Sequence, residues 1–174
     1  MSRRTRIPLF PLSGAILFPR SHLPLHIFEE RYRAMVQDAM AGPGRIAMIQ
    51  PSSVQSEVEG GDSAAPTLYR VGCVGELVGV EELDDGRFNI MLLGSQRFRL
   101  IAEADGGTPY RQADIDLAAY DDDDDPEPLS SIQRADVERE ARRFGDALSL
   151  AVDWDAVGRL DDEMLVNAIA QVAP

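Results

Sequence analysis

The apolar positions of this chain change period along its length. From Arg6 to Ile27 apolar residues and prolines alternate without helical spacing, and Pro8, Pro11, Pro19 and Pro24 forbid a continuous helix. Each proline also pushes the preceding residue toward extended angles. Short strands at a sheet edge are therefore expected, where missing N–H groups are tolerated. The next segment is helical: Phe28, Tyr32, Met35, Val36, Ala39 and Met40 recur at intervals of three and four and share one face. Gly42-Pro43-Gly44 ends that helix.

Strand periods follow. Arg45 to Gln50 reads as a short buried strand, and Pro51 to Pro66, rich in Ser, Gly and acids, as a mobile loop. Leu68 to Val80 is apolar and punctuated by Gly72, Gly75 and Gly79, so a strand with bends or bulges is expected. Asp84-Asp85-Gly86 between two strand-like runs is a hairpin signal, with Arg87 to Leu93 as the return. Ser95 to Ala102 alternates as a further strand, and Tyr110 to Tyr120 as another.

Beyond residue 120 the composition shifts. Asp121 to Asp125 and Pro126-Glu127-Pro128 read as an acidic linker over 121–128. Those carboxylates lack the spaced ligands and turn glycine of a calcium loop, so no metal is expected there. In residues 129–174, Val137, Ala141, Phe144, Leu148 and Ala151 repeat with helical spacing. A second helix starts at Asp161 as N-cap, with Asp162 and Glu163 in its first turn and Leu165, Ala168, Ile169 and Val172 on its apolar side. That helix is barely finished when the sequence stops, so this segment reads as incomplete. The expected organisation is a β-rich domain over 1–120 with one inserted helix, then the linker, then helices.

Charge and composition narrow the chemistry. Seventeen basic residues, all arginine, stand against 30 acids, for a net charge of −13. With no lysine, a serine–lysine dyad, a Schiff base and a phosphate-binding loop ending in Lys-Ser/Thr are all excluded. The acidic balance opposes a nucleic-acid partner. Residues 1–50 are net +4, and Arg3, Arg4 and Arg6 read as a solvated tail. The single cysteine, Cys73, lies in an apolar run and reads as a buried, inert thiol in a reducing compartment. Arg3, Arg4 and Arg6 before an apolar stretch imitate a signal peptide, but prolines break the stretch and no small-residue cleavage site follows. A cytoplasmic protein without a membrane span is expected.

No motif supports catalysis. His22 and His26 are the only histidines; Pro24 between them argues against a helix. On an extended chain they share a face about 13 Å apart, too far for one metal ion. There is no G-x-S-x-G elbow and no G-x-G-x-x-G. No cofactor is implied.

The run Ile7-Pro-Leu-Phe-Pro-Leu-Ser-Gly-Ala-Ile-Leu-Phe-Pro, followed by Leu23-Pro-Leu-His-Ile-Phe-Glu-Glu-Arg-Tyr-Arg-Ala-Met, resembles the opening of the Lon protease N-terminal domain. Val71-Gly-Cys-Val-Gly-Glu-Leu and Leu93-Gly-Ser-Gln-Arg-Phe-Arg-Leu look like that family's later strands, in the same order. The resemblance covers residues 6 to about 120 and extends less closely into the helical remainder. It implies an α+β fold: a PUA-like β-barrel or sandwich with one inserted helix, followed by a C-terminal helical segment. It also implies contact with substrates, whereas the family's ATPase and peptidase lie in separate domains whose signatures this sequence lacks. The chain looks like a stand-alone domain of that kind.

The expectation is therefore a non-catalytic module that recognises unfolded or hydrophobic polypeptide segments, in concert with a protease or ATPase. Sheet edges and apolar pockets between sheet and helix suit that task. The candidate contacts are Phe10, Phe18, Leu23, Leu25, Phe28, Arg31 and Tyr32, with Arg33 beside them. Helical spacing draws Phe28 and Tyr32 toward the core, while Phe10 and Phe18, between prolines, read as more open. The alternatives are a small-molecule-binding PUA-like domain and a stand-alone hydrolase, which would die with either histidine.

Overall fold

The computed structural model describes residues 4–52, 67–120 and 127–172. The expected loop over 51–66 and linker over 121–128 lie largely outside them. The chain divides into two compact units, Met1–Asp123 and Asp124–Pro174.

In the first unit the elements run β1 (Arg4–Pro11), β2 (His22–Ile27), α1 (Glu30–Ala41), β3 (Arg45–Pro51), β4 (Leu68–Glu82), β5 (Phe88–Ala104) and β6 (Gln112–Asp116). They form a mixed six-stranded sheet in the order β2-β5-β4-β3-β1-β6, with β5 also paired to β6. Among the described strands only β1 and β3 run parallel. The β5–β6 pairing links β1, β3, β4, β5 and β6 in a continuous ring of ladders, and β2 flanks the first half of β5.

Three expectations need correction. β1 is not a sheet edge: residues 4–8 pair with β6 and residues 9–11 with β3. Pro8 is tolerated because its neighbours exchange ladders there, and Leu9 N–H donates to Arg111 C=O at 2.8 Å. Pro24 does lie on an edge strand, since β2 ends the sheet order. Arg4 and Arg6 are strand residues rather than a tail, and Arg6 pairs with Asp114 at 3.0 Å. The returns at 87–93 and 95–102 are one strand, because the chain continues extended through Gly94.

Two apolar cores lie on opposite faces of the sheet. Adjacent residues point to opposite sides, so Leu9, Ala47 and Val74 join one core while Phe10, Met48 and Cys73 join the other. Both sides are thus filled, and Cys73 is buried as expected. The second core is capped by α1 through Tyr32, Met35, Val36 and Ala39. The helix stops at Ala41, as the Gly-Pro-Gly signal requires, and Gly44 N–H closes onto Ala39 C=O at 2.9 Å. Phe28 and Met40 are not on its buried face. They are 62% and 54% exposed, because the helix starts only at Glu30 and its buried stripe narrows to Tyr32–Ala39.

β5 serves both cores through a bulge. Val74 pairs with Gln96 but Gly75 with Gly94, which leaves Ser95 as an extra residue. The extra residue reverses the alternation. Phe88, Ile90 and Leu92 therefore face the α1 side, while Phe98 faces the other core. A second bulge places Val78 outside the register between Leu77 and Gly79. Bulges at the β4 glycines are what the sequence predicts. The 12–21 loop crosses the sheet at the Gly75–Gly94 pair. A Cβ on Gly94 would lie 1.9 Å from Phe18 O, and one on Gly75 2.9 Å from Leu17 Cδ2.

The second unit holds α2 (Ser131–Ala147), the short turn α3 (Trp154–Val157) and α4 (Asp162–Val172). Ser130 caps α2 in a reciprocal capping box with Gln133. Asp161 caps α4 as expected, its Oδ1 accepting from Met164 N–H at 2.8 Å. Leu148 and Ala151 are not helical. The chain leaves α2 after Ala147, and Ser149 adopts φ +54°. Arg134 ties the helices together: it donates to Asp162 Oδ1 at 2.6 Å and to Leu160 C=O at 2.9 Å.

Candidate functional site

The seven candidate residues separate into structural and accessible ones. Phe10 is 3% exposed, so its position between prolines does not make it open. Its ring lies 4.3 Å from that of Tyr32, itself 8% exposed, inside the α1-side core. Leu23 and Leu25 are half-buried against the same core, because β2 turns its odd-numbered residues inward. Phe18 is half-buried beside a small cavity of about 140 Å³ that Ile16, Val71 and Arg97 also line. Arg31 is exposed, with its guanidinium 4.5 Å above the Tyr32 ring and paired to Glu29 at 2.8 Å. Burial pushes the Tyr32 phenol upward from its ordinary range.

Phe28 stands free of the core at the junction of β2 and α1. It precedes the N-cap Glu29, a position whose apolar side chain usually packs on the fourth helical residue. That residue here is Arg33, so Phe28 finds no apolar partner on the helix. Its nearest ring is His26, at 6.4 Å between centroids.

His26 leads to a groove that the candidate residues alone do not reveal. The even-numbered residues of β2 face outward opposite β5: Pro24 meets Met91, and His26 meets Asn89. On the other side of β5, Gly79 meets Met91 and Glu81 meets Asn89. The first row is apolar and, lacking a side chain at Gly79, forms a depression. The second row is a polar relay. Arg87 donates to His26 Nε2 at 3.2 Å, His26 Nδ1 to Asn89 Oδ1 at 2.7 Å, and Asn89 Nδ2 to Glu81 Oε2 at 2.7 Å. Because an arginine can only donate, this relay fixes the imidazole with its proton on Nδ1. Together with Val80, the two rows bound an open groove of about 550 Å³. The alternation of His22-Leu-Pro-Leu-His carried this signal, but the pairing partners in β4 and β5 did not follow from it.

The two histidines share the outer face of β2 as expected, and among the described residues neither bonds a serine, a cysteine or a carboxylate. Among the described residues no group of three or more His, Cys, Asp or Glu is placed to hold a metal ion. Among those residues, too, no helix is long and apolar enough to cross a membrane.

Comparison with known proteins decides the family. The family model for the ATP-dependent protease La (LON) substrate-binding domain matches residues 6–172. The chain belongs to the Lon substrate-binding domain family. Curated relatives include Lon protease 2 of Syntrophobacter fumaroxidans, 25% identical over 70% of this chain and 15% of the relative. The Lon protease of Escherichia coli K12 is 27% identical over 63% of this chain and 13% of its own length. The match thus spans less than a sixth of these relatives. Among solved structures, the N-terminal domain of the Mycobacterium avium complex Lon protease aligns over 97% of this chain and 83% of its own, with a TM-score of 0.62 at 15% identity. A Lon N-terminal domain protein from Xanthomonas campestris aligns over 98% and 99%, with a TM-score of 0.56 at 20% identity. At such identities these structures establish the fold: a mixed sheet with few helices, as in Lon N-terminal domains. In Lon proteases the matched domain is the substrate-binding part, not a catalytic one.

Proposed function

We propose that this Lon-domain chain is a non-catalytic polypeptide-recognition module, and that the ring of ladders is a PUA-like barrel carrying it. Its substrates are unfolded or hydrophobic segments, which it passes to a protease or ATPase acting with it. The contact surface is the outward groove at Pro24, Gly79, Val80 and Met91, with Phe28 and Arg31 near its β2 end and Phe18 as a separate contact. One observation carries the reading: this unit fills both sides of its sheet with its own side chains, yet leaves Phe28 62% and Val78 51% exposed. Exposed apolar side chains grouped beside a groove mark an interaction surface more than a structural need. A small-molecule site is less well supported, because the groove is open on one side and converges few polar groups.

The test is fluorescence anisotropy with a permanently unfolded, carboxymethylated model protein as ligand. Phe28→Ala and Met91→Asp should each weaken binding about 5- to 30-fold, from ~1–2 kcal/mol of lost apolar contact. His22→Ala, outside the groove, should leave binding nearly intact. Wild-type affinity in both apolar variants would remove the groove from the mechanism.

A further inference from the structure

The helical unit carries a second apolar surface, independent of the sheet. A groove of about 370 Å³ runs from Phe144 and Gly145 on α2, past Leu150 and Trp154, to Ile169 and Val172 on α4. Its lining is apolar throughout. Within residues 127–172 only Ala141, Gly145 and Leu165 are buried, whereas Leu150 and Val172 on the groove are exposed. Amphipathic helices gain most of their stability by covering such a face. This unit covers little of its own.

Charge says what kind of occupant fits. Residues 127–172 hold five arginines against ten acids, a net −5. Arg134, Arg139 and Arg143 are already paired with acids of the same unit. Arg142 lies over the face of Trp154, at 4.6 Å from the ring centroid, and Arg159 is exposed. Meanwhile Asp146 directly follows groove residue Gly145, and Asp155 directly follows Trp154; both are exposed. The unit that carries the groove is therefore net acidic, and these two carboxylates adjoin its lining residues in sequence.

We propose that this groove docks an amphipathic helix of a partner protein whose apolar stripe is bordered by basic side chains. Two helices with a gap between them accept the ridge of a third. The unit's net negative charge adds selectivity and speeds encounter. A second copy of this chain fits poorly, because two units of the same net negative charge would face each other. The site goes beyond polypeptide recognition by the sheet unit and stands whether or not that reading holds. It would give the chain a means of attachment to a machine or scaffold.

The experiment uses the full chain and two labelled helical peptides of about 18 residues, roughly five turns. One carries Leu and Ala on one face and Lys and Arg on the other; its counterpart has Glu at every basic position. The basic peptide should bind at least ~10-fold more tightly, and added salt should erode the difference. Leu150→Glu and Val172→Glu, at exposed positions the fold tolerates, should each weaken it about 10-fold or more. Binding lost in Met91→Asp but kept in both of these variants would place the peptide on the groove of β2 and β5 instead and overturn the site. Equal binding of the two peptides would overturn the chemistry of the partner. Indifference to both groove substitutions would overturn the site. A dimer in sedimentation that Leu150→Glu disperses would assign the groove to a second copy instead.

Discussion

Gly94 gives a sharp test of how the first unit is held together. It sits at the bulge where β5 changes cores, and the 12–21 loop lies directly on it. Arg20 N–H donates to Gly94 C=O at 2.8 Å, and Gly94 N–H to Ser21 C=O at 2.9 Å. A methyl group at this position would stand 1.9 Å from Phe18 O and 2.7 Å from Phe18 C, both backbone atoms that no rotamer change can move. In Gly94→Ala the loop must therefore lift by more than an ångström. Two hydrogen bonds at about 1 kcal/mol each are lost. Leu17, only 5% exposed, is partly released from the α1-side core, at a further ~1–2 kcal/mol. The expected loss is about 3–4 kcal/mol, against almost nothing for Gly79→Ala, whose Cβ would meet Met91 Cβ at an ordinary 3.4 Å. Trp154 is the only tryptophan and lies in the other unit, so its fluorescence is the wrong probe. Native-state amide exchange in β4 and β5 is the right one, and should accelerate on the order of 10²–10³-fold in Gly94→Ala. Acceleration below about fivefold, or equal losses in the two variants, would refute the placement of the loop on the bulge.

The remaining predictions concern titrating groups. Tyr110 donates to Asp38 Oδ2 at 2.6 Å, and burial, reinforced by that carboxylate, pushes its phenol up to about 12. The folded value lies above the ordinary one, so this contribution is whole below about pH 10 and is lost as pH rises through the folded value. Phenolate absorbance during alkaline titration should show one late-ionising tyrosine that disappears in Tyr110→Phe. In the helical unit, the hydrogen bond from Arg134 and that from Leu129 N–H hold the Asp162 carboxyl below the usual carboxylate range. A depressed value stabilises above the ordinary pKa and is lost as pH falls through the folded one. The α2–α4 connection should therefore loosen on acidification below about pH 4. Carboxyl carbon shifts of Asp162 would follow it, and Arg134→Gln should reduce the depression to the part that Leu129 N–H supplies.

What the sequence makes legible is local. Gly42-Pro43-Gly44 stops α1 because a proline and two glycines cannot continue it. Asp84-Asp85-Gly86 turns the hairpin because Gly86 takes φ +76° and its N–H donates to Leu83 C=O. Asp161 caps α4 through its own side chain. Alternation also shows that His22, Pro24 and His26 share a face. It does not show what covers that face, since coverage depends on strands far away in sequence. Phe10 illustrates the difficulty: its prolines suggest an open segment, yet β1 lies between β3 and β6 with a core on each side. Leu92 and Phe98 share parity, and only the long-range pairing of Val74 with Gln96 reveals that they serve different cores. Phe28 was readable in part. An apolar residue before the N-cap whose helical counterpart is Arg33 has no staple to form, and so is left to solvent.

The same arrangement explains why the proposed recognition surface falls where it does. β5 is 17 residues long, and β6, with only five, can pair with its second half alone. Ring closure thus uses residues 99–104, and the first half of β5 must take its partner from β2. On the α1 side this half is covered, because Phe88, Ile90 and Leu92 meet the helix. On the opposite side it extends beyond the ring, and among the described residues of this unit nothing folds over it. The bulge at Ser95 marks one end of this uncovered stretch, and the bulge at Val78, opposite Met91 and Leu92, lies within it. Gly79 deepens it by lacking a side chain, while the relay from Arg87 to Glu81 satisfies the polar groups along its border. Apolar floor and satisfied polar border are both needed for a surface that stays open in water yet accepts an apolar segment. Shortening β5 at its first half would therefore remove the groove and strand β2 together, while leaving the ring closed.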